Sequence, residues 1–262
     1  MNICEYPIII GGFYRSGTSL LRRLLDAHSN IHCNPEIKFF KDFYGDYLHD
    51  DLSHVRFFST LKSLGLNQTD VLNIFGKAFI ACHQMAAKHS GKKRWADKNP
   101  ENVLYMQQWH SLLEGKLFFI HMVRHPLDAL ASLIEIGFKR AVPSDFKEKV
   151  KMYRTFLHHG LDYTEKNPHI TILIRYEDLV SNPQEVLTAL LKMLGETYEP
   201  SMLLDFNSPQ RQRGIEDPKI IHTSGIHLQS INRWQKELSP EQIHYALTEL
   251  EQYIVKFHYF LS

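Results

Sequence analysis

The start of the chain changes from an apolar run to a glycine-containing loop and then to a helical pattern. Residues 7–10 indicate a short buried strand, residues 11–17 a loop and residues 18–28 a helix. The helical segment places leucines at helical spacing with polar residues between them: Leu20, Leu21, Leu24 and Leu25 against Arg22, Arg23 and Asp26. The pattern predicts a strand, loop and helix unit whose helix lies on a sheet, with its polar residues on the other face.

The alternation of strands and helices continues along the chain. Residues 116–123 and 170–176 are rich in β-branched and aromatic residues, which predicts two further inner strands. Helical patterns cover, approximately, residues 69–88, 100–113, 126–137, 145–166 and 183–194. Because strands that alternate with helices form parallel sheets, we predict an α/β fold in three layers, a parallel sheet flanked by helices.

Two segments near the C-terminus depart from this alternation. Residues 195–232 contain several prolines and glycines without sustained periodicity, so we expect a long mobile loop or lid there. The sequence Ser239-Pro240-Glu241-Gln242 is typical of a capping box, and the apolar stripe that follows it predicts a helix packed on the core.

Composition narrows the class of protein. The chain has 262 residues, of which 44% are hydrophobic, and a net charge of +1, so we expect one domain over residues 1–262 and no nucleic-acid partner. No apolar run approaches the roughly 18 residues of a membrane-spanning helix. The 3 cysteines are too widely spaced for a disulfide framework or a zinc site. We therefore expect a cytoplasmic protein with reduced thiols and without a metal.

The loop after the first strand has the glycine spacing of a phosphate-binding loop. Gly12 and Gly17 have this spacing, but Thr18 stands where nucleoside triphosphatases carry lysine. Backbone N–H groups and the start of the helix can hold an anion, and Arg15 can supply the missing positive charge. Hydroxyl donors suited to phosphate or sulfate come from Ser16, Thr18 and Ser19. We therefore predict a P-loop-type sheet with a terminal phosphate or sulfate bound here.

The segment Arg15-Ser16-Gly17-Thr18-Ser19, with the flanking LLRRLLDAH, resembles the sulfotransferase family that uses 3′-phosphoadenosine 5′-phosphosulfate (PAPS). The chain is most similar to the tyrosylprotein sulfotransferase-like and bacterial branch, and further segments extend the resemblance over nearly its whole length. The resemblance implies that residues 15–19 bind the 5′-phosphosulfate of PAPS and that the product is 3′,5′-adenosine bisphosphate (PAP).

The segment HMVRHPLDALASLIEIGF places Arg124 just beyond a predicted strand and Ser132 on the helix that follows. Open α/β sheets bind ligands at that edge, where an arginine and a serine can converge on one phosphate. The spacing alone is also compatible with a solvated helical serine. In the family that the chain resembles, the two positions bind the 3′-phosphate of the donor, and the resemblance implies the same role here.

Sulfuryl transfer requires a base for the acceptor and cations for the leaving phosphate. Glu36 and His28 are alternative bases, and Lys98 lies in residues 94–102, which we expect to form a polar turn before a helix. The tyrosylprotein sulfotransferases are similar: a glutamate matching Glu36 is their base, and a lysine matching Lys98 is catalytic. The resemblance thus favours Glu36, with Lys98 and Arg15 stabilising the charge that develops.

One departure from that branch concerns cysteine. The tyrosylprotein enzymes have a cysteine where Ala96 stands, paired with one that matches Cys33, so their disulfide cannot form here. The absence of this disulfide favours a cytosolic location and weakens the case for a protein-tyrosine substrate.

A basic residue two positions after the base of those enzymes corresponds to Lys38.

Two later segments extend the resemblance. The segment Arg175-Tyr176-Glu177-Asp178-Leu179 is similar to one whose tyrosine contacts the donor nucleotide, although Tyr176 is equally compatible with packing at a strand end. Ser230 and Arg233, beside Trp234, resemble residues that help to cover the nucleotide.

The sequence predicts transfer of a sulfuryl group from PAPS to an acceptor hydroxyl or amine by in-line displacement. It leaves the acceptor open among small molecules, saccharides, lipids and peptides, with residues 39–90 and 196–232 expected to shape the cleft. A P-loop kinase of a small metabolite is disfavoured by Thr18. A non-catalytic nucleotide-binding protein is the other alternative.

Overall fold

One parallel sheet organises the part of the chain that the computed structural model describes, residues 5–40, 55–136, 142–208 and 225–259. Its strands are β1 (Ile8–Gly12), β2 (Ile31–Cys33), β3 (Arg94–Lys98), β4 (Phe118–Val123) and β5 (Thr171–Arg175). They lie in the order β2-β3-β1-β4-β5, and every neighbouring pair is parallel. The strand order steps outward from β1 in both directions, so the carboxyl end of β1 lies at the centre of the binding edge.

Helices connect these strands. In chain order they are α1 (Thr18–Asp26), α2 (Val55–Ser63), α3 (Gln68–His89), a 3-10 helix (Pro100–Leu104), α4 (Met106–Leu112), α5 (Pro126–Ile136), α6 (Phe146–Lys166), α7 (Tyr176–Ser181), α8 (Pro183–Leu194), α9 (Ser201–Leu204), α10 (Trp234–Glu237) and α11 (Pro240–Lys256). No helix in the described ranges is long and apolar enough to cross a membrane.

The sheet separates two hydrophobic cores, because successive side chains of a strand point to opposite faces. Ile8 and Ile10 of β1 pack with α1, α7 and α8 on one face. Ile9 packs on the other face with residues of α3, α4, α6 and α11. The predicted three-layer α/β architecture is therefore confirmed, and the predicted C-terminal helix packs on the second core.

Segment 94–102 was expected to be a polar turn, and this prediction is wrong for its first half. Residues Arg94–Lys98 form β3, a fully buried inner strand between β1 and β2. Its charged groups have partners from distant parts of the chain: the Arg94 guanidinium donates to the carbonyl oxygens of Tyr6 at 2.6 Å and Leu194 at 2.7 Å. Such pairing lets a charged sequence occupy an inner strand, where composition alone favours a loop.

The predicted polar face of α1 is also wrong. Arg22, Arg23 and Asp26 are all buried. The Arg22 Nη1 donates to the Cys33 carbonyl oxygen at 3.1 Å, and an Asp26 carboxylate oxygen accepts from the Cys33 N–H at 3.0 Å. The polar residues of α1 thus bind the neighbouring strand β2, which the apolar pattern did not reveal.

Smaller differences concern boundaries and loops. The helix predicted over residues 100–113 is divided into the 3-10 helix and α4. The predicted loop over residues 195–232 contains the short helix α9, whose Met202 is completely buried. Residues 209–224 of this loop lie outside the described residues, as do residues 41–54 of the expected acceptor region.

Candidate active site

The loop between β1 and α1 lies tightly against the neighbouring strands. A β-carbon at Gly12 would stand 2.3 Å from the carbonyl oxygen of Met122 on β4. Arg15 and Gly17 have positive φ angles of 67° and 88°. Glycine adopts this left-handed conformation without strain, so Gly17 can cap α1 at the turn. The glycines of the predicted phosphate loop are therefore required by its backbone geometry.

The N-terminus of α1 presents donors suited to an anion. No side-chain hydrogen bond caps this end of the helix in the described part of the chain. Ser16 is 1% exposed, and its Oγ has no hydrogen-bond partner among the described residues. Because a buried hydroxyl without a partner is costly and a helix N-terminus attracts negative charge, this loop fits an anionic group.

A lysine links this loop to a carboxylate. Lys98 is the last residue of β3, and its Nζ lies 3.2 Å from the Oγ of Ser19, in the first turn of α1. The same ammonium group forms an ion pair with the Glu36 carboxylate. The Lys98 side chain is 2% exposed and that of Glu36 is 26% exposed. The carboxylate can therefore meet a ligand from solvent while the buried lysine faces the loop.

Beside Glu36 lies a second carboxylate, Glu101, with partners of its own, which the sequence did not predict. The Tyr14 hydroxyl donates to the Glu101 carboxylate, and Lys38 Nζ lies 3.9 Å from a Glu101 oxygen. Burial raises the pKa of Tyr14 well above its usual range, and the negative charges of Glu101 and Glu36 raise it further. Tyr14 therefore stays protonated and donates a hydrogen bond. The signal available in the sequence was an acidic residue in the first turn of a helix that begins at Pro100, two residues after the end of β3.

On the other side of the loop, three predicted residues meet. The Nε of Arg15 donates to the Ser132 Oγ at 3.0 Å, and Arg124 Nη1 donates to the Arg15 carbonyl oxygen at 2.7 Å. Arg124 and Ser132 are 4% and 1% exposed. Burial lowers the pKa of Arg124, but its guanidinium remains charged because its usual value is 12.5. The two arginines therefore concentrate positive charge beside the loop, and Ser132 adds a hydroxyl group.

Tyr176 packs beneath both parts of the site. The Arg124 guanidinium carbon lies 4.6 Å from the centroid of its ring, a cation–π contact. A β-carbon at Gly17 would stand 2.5 Å from the Tyr176 Cδ2. The side chain is 8% exposed. Tyr176 thus supports the loop and Arg124 from below, an arrangement that agrees with the packing alternative.

The segment that carries Ser230 is anchored at the same edge. Arg124 donates to the Ser230 carbonyl oxygen, and Arg233 forms ion pairs with Glu135 and Glu237. Asp128 of α5, which the sequence analysis missed, holds the segment from below. Its Oδ2 accepts from the backbone N–H of Asn232 at 2.9 Å, and its Oδ1 accepts from the backbone N–H of Trp234 at 3.2 Å.

Burial raises the pKa of Asp128, and the neighbouring Arg124 and the backbone N–H donors lower it. The signal in the sequence was an aspartate in the first turn of a helix that follows a strand end. A side chain at this place can hold a neighbouring segment against the end of the sheet.

The alternative base, His28, lies away from this edge. It follows the C-terminal end of α1, roughly 13 Å along the helix axis from Ser19 at 1.5 Å per residue. Its Nε2 lies 2.9 Å from the Thr197 carbonyl oxygen, and its Nδ1 accepts from the Asn30 N–H at 3.0 Å. Both ring nitrogens of His28 therefore take part in structural contacts. Of the two candidate bases, Glu36 is the one that lies at the loop.

The structure also bears on metal and cysteine chemistry. Within the described ranges, no group of at least 3 His, Cys, Asp or Glu side chains is arranged to hold a metal ion. Cys33 and Ala96 are direct partners in the parallel pairing of β2 and β3. Cys33 is a buried free cysteine. The two positions that the tyrosylprotein enzymes were inferred to join are thus neighbours in this fold.

Comparison with known proteins identifies relatives of the chain. A family model described as the sulfotransferase family matches residues 7–200. A putative protein-tyrosine sulfotransferase of Caenorhabditis briggsae is 27% identical over 208 residues, which cover 76% of this chain and 69% of that protein. A protein-tyrosine sulfotransferase of Drosophila melanogaster is 25% identical over 248 residues, covering 88% of this chain and 47% of that protein. The chain thus spans about half of the Drosophila relative.

Solved structures show the same fold. The sulfotransferase domain from the curacin biosynthetic pathway has a TM-score of 0.71 at 20% identity, covering 98% of this chain and 99% of that one. Mouse sulfotransferase SULT7A1 complexed with PAP has a TM-score of 0.55 at 15% identity, covering 97% and 87%. Because the family model matches most of its length, the chain belongs to the sulfotransferase family, as the motifs at its phosphate loop and strand ends predicted.

Proposed function

We propose that this sulfotransferase moves a sulfuryl group from PAPS to an acceptor hydroxyl or amine, with Glu36 as the general base. The observation that carries the proposal is the position of Lys98, which contacts both Ser19 of the phosphate loop and the Glu36 carboxylate. A cation between an anion site and a partly exposed carboxylate is the arrangement that sulfuryl transfer requires. An acceptor that approaches Glu36 would lie next to the bound sulfuryl group.

The phosphate loop would bind the 5′-phosphosulfate. The buried Ser16 Oγ, which has no partner among the described residues, fits one oxygen of that group, and the hydroxyls of Thr18 and Ser19 fit others. The N-terminus of α1 adds its positive end. Gly17 permits the loop to pack closely on the Tyr176 ring, since a larger residue at this position would displace that ring. No metal is required by this arrangement, because arginine and lysine supply the positive charge.

The cluster of Arg124, Ser132 and Arg15 would bind the 3′-phosphate, the group that distinguishes PAPS from ordinary adenine nucleotides. The Arg124 Nε has no hydrogen-bond partner among the described residues and is therefore available to an anion. PAP in the mouse neighbour, which has the same fold, supports this proposal. Arg15, whose Nε donates to the Ser132 Oγ, would also help to neutralise the leaving 5′-phosphate.

The Ser230 segment would cover the nucleotide. Its carbonyl oxygen is bound by Arg124, so closure of the cover and grip on the 3′-phosphate involve the same guanidinium. Arg233 would contribute by holding the segment on α5 through Glu135. Tyr176 would act by positioning Arg124 beneath the donor.

The chemistry would proceed by in-line displacement. Glu36 takes the proton of the acceptor hydroxyl or amine as the acceptor attacks sulfur. Lys98 and Arg15 stabilise the charge on the sulfuryl oxygens and on the leaving phosphate oxygen. Holding base, cations and donor on rigid strand and helix ends reduces the entropic part of the barrier. The product would be PAP together with a sulfate ester or a sulfamate.

The acceptor would be a hydroxyl or amine compound among small molecules, saccharides, lipids and peptides. Relatives named as protein-tyrosine sulfotransferases make a peptide tyrosine one acceptor to test. Ala96 lies opposite Cys33, so these two positions cannot form the disulfide that an oxidising compartment would favour. This supports a cytoplasmic location.

Two variants test the assignment. Arg124→Ala is expected to weaken PAP binding strongly, because it removes the guanidinium proposed for the 3′-phosphate. Glu36→Gln is expected to lower turnover by about 10²–10⁴-fold, the usual contribution of a general base, while PAP affinity is retained. Calorimetric titration with PAP and consumption of radiolabelled PAPS over an acceptor panel measure the two effects, with the exposed Glu114→Gln as control.

The ligand specificity gives the decisive comparison. Thermal stabilisation by PAP, exceeding that by ATP, ADP and AMP, is expected for the donor site proposed here. Displacement of PAP by ATP with Mg²⁺ would favour the kinase alternative. Equal PAP affinity and equal turnover in both variants would contradict the roles of Arg124 and Glu36.

A further inference from the structure

A row of polar side chains, buried except for the half-buried Asn34, lies behind the Glu36–Lys98 pair on the α3 side of the sheet. Asn34 Nδ2 lies 2.8 Å from the Nδ1 of His83, a residue of α3. His83 Nε2 lies 3.3 Å from Asp97 Oδ1, a close contact in which neither atom has a hydrogen-bond partner among the described residues. The other oxygen of Asp97 accepts from the Asn102 Nδ2 at 2.8 Å. His83 thus connects the segment that carries Glu36 with the strand that carries Lys98.

The sequence places these partners next to the two reacting side chains. Asn34 precedes Glu36 by one intervening residue, and Asp97 directly precedes Lys98. Asp97 and Lys98 alternate across the sheet, so Asp97 faces α3 while Lys98 faces α1. A movement of His83 would therefore act on both sides of the Glu36–Lys98 contact through the backbone.

The ring of His83 is held in one orientation. It is 0% exposed. It stacks on Trp95 of β3, with centroids 4.7 Å apart and an interplanar angle of 19°. Phe79, one turn earlier on α3, contacts it edge-on at 4.6 Å. Since the ring is packed on two sides, its nitrogens have fixed directions toward Asn34 and Asp97.

The proton on the ring can be assigned from its neighbours. The Asn34 Oδ1 lies 2.8 Å from His32 Nε2, which leaves the Asn34 Nδ2 to donate to His83. His83 Nδ1 must then accept, which places the ring proton on Nε2, the nitrogen nearest the Asp97 carboxylate. Asp97 is 1% exposed, so this contact is shielded from water.

We propose that His83 and Asn34 are positioning residues for the transfer reaction. They hold the Glu36 segment next to the end of β3, so that the Glu36 carboxylate keeps its contact with Lys98 and stays in position to take the proton of the acceptor. The inference rests on the proposed roles of Glu36 and Lys98, which His83 itself does not touch. A displacement of about 1 Å at a reacting group can lower a rate by about 10²-fold, so the effect of losing this connection is measurable.

Nitrogen NMR of the full chain with ¹⁵N-labelled histidine tests the assignment of the proton without any need for activity. The His83 resonance is identified by its absence in His83→Gln. We expect a proton on Nε2 and none on Nδ1. A ring with its proton on Nδ1, or one protonated on both nitrogens, would overturn the connection from Asn34 through His83 to Asp97.

Kinetics test the positioning role. His83→Phe keeps an aromatic ring against Trp95 but removes both polar contacts, and His83→Gln restores a donor and an acceptor. We expect His83→Phe to lower PAPS consumption, with p-nitrophenol or water as acceptor, by about 10–100-fold. His83→Gln should recover most of it. His89→Gln, an exposed position on the same helix, is the matched control.

The readouts separate this inference from the proposed function. Each variant is assayed well below its own Tm, and PAP affinity is measured in parallel. Retained PAP affinity with a rate loss that glutamine rescues supports positioning. Unchanged rates in His83→Phe, or equal losses in both His83 variants after matching for Tm, overturn it. A wild-type protein that fails to bind PAP overturns the proposed function instead, and the NMR result remains a separate test.

Discussion

Alanine at Gly17 tests how closely the phosphate loop packs on Tyr176. Gly17 and Gly65 have similar positive φ angles of 88° and 83°. A β-carbon at Gly17 would stand 2.5 Å from Tyr176 Cδ2, whereas no atom of the described residues lies within 4 Å of the corresponding point at Gly65. Gly65→Ala is therefore a matched control that has the backbone strain without the steric overlap.

The expected losses follow from these two terms. The left-handed conformation costs alanine about 1–2 kcal/mol, which applies at both positions. Overpacking against a buried ring costs about 1–3 kcal/mol more, which applies at Gly17 alone. We therefore expect the free energy of unfolding to fall by about 1–2 kcal/mol in Gly65→Ala and by about 2–5 kcal/mol in Gly17→Ala.

Equilibrium unfolding in urea, followed by tryptophan fluorescence, measures both losses, and titration with PAP measures the effect on the site. Gly17→Ala should also weaken PAP binding, because the displaced Tyr176 ring supports the Arg124 guanidinium. Adding Tyr176→Leu to Gly17→Ala should recover part of the stability. Equal losses in Gly17→Ala and Gly65→Ala would refute the contact between the loop and Tyr176.

Two further predictions concern the end of the sheet and the pH dependence of stability. Asp128→Asn removes one of the acceptors for the backbone of residues 230–234, and we expect their amide hydrogen exchange to accelerate about tenfold; unchanged exchange would show that Asp128 does not hold this segment. Burial lowers the pKa of His121 to about 3 and of His125 to about 4, from an ordinary value of 6.5. Both groups contribute fully to stability above pH 6.5, and the contribution declines as the pH falls toward 4 because the unfolded chain alone takes up protons. His125→Phe should reduce this slope by about 1.4 kcal/mol per pH unit in urea unfolding, and an unchanged slope would contradict a neutral, buried His125.

Predictions from the sequence were reliable where local pattern and local structure coincide. The apolar run before Gly12 and the leucines after Gly17 determine a strand and a helix, and the glycines determine the loop between them. The strand ends that carry Arg124 and Tyr176 follow from the same kind of signal. These elements could be located because hydrophobic periodicity is a property of residues that are close together in the chain.

Other elements could not be predicted, since their stability comes from distant partners. The residues of β3 are charged or polar at three of five positions, and its burial depends on partners that include the Leu194 carbonyl and Glu36. Spacing alone predicts a polar surface for Arg22 and Arg23, yet β2 and the segment after α9 bury them. A single sequence does not record which buried polar group will meet which.

The sequence by itself determined the phosphate loop, the parallel α/β arrangement and the family, because glycine spacing, apolar periodicity and short motifs are properties of adjacent residues. Only the tertiary structure decided which groups meet at the edge of the sheet. It placed Lys98 between Ser19 and Glu36, moved His28 away from them, and brought His83 behind the pair. These contacts join residues far apart in the chain, and their geometry depends on strand order and packing across the whole fold.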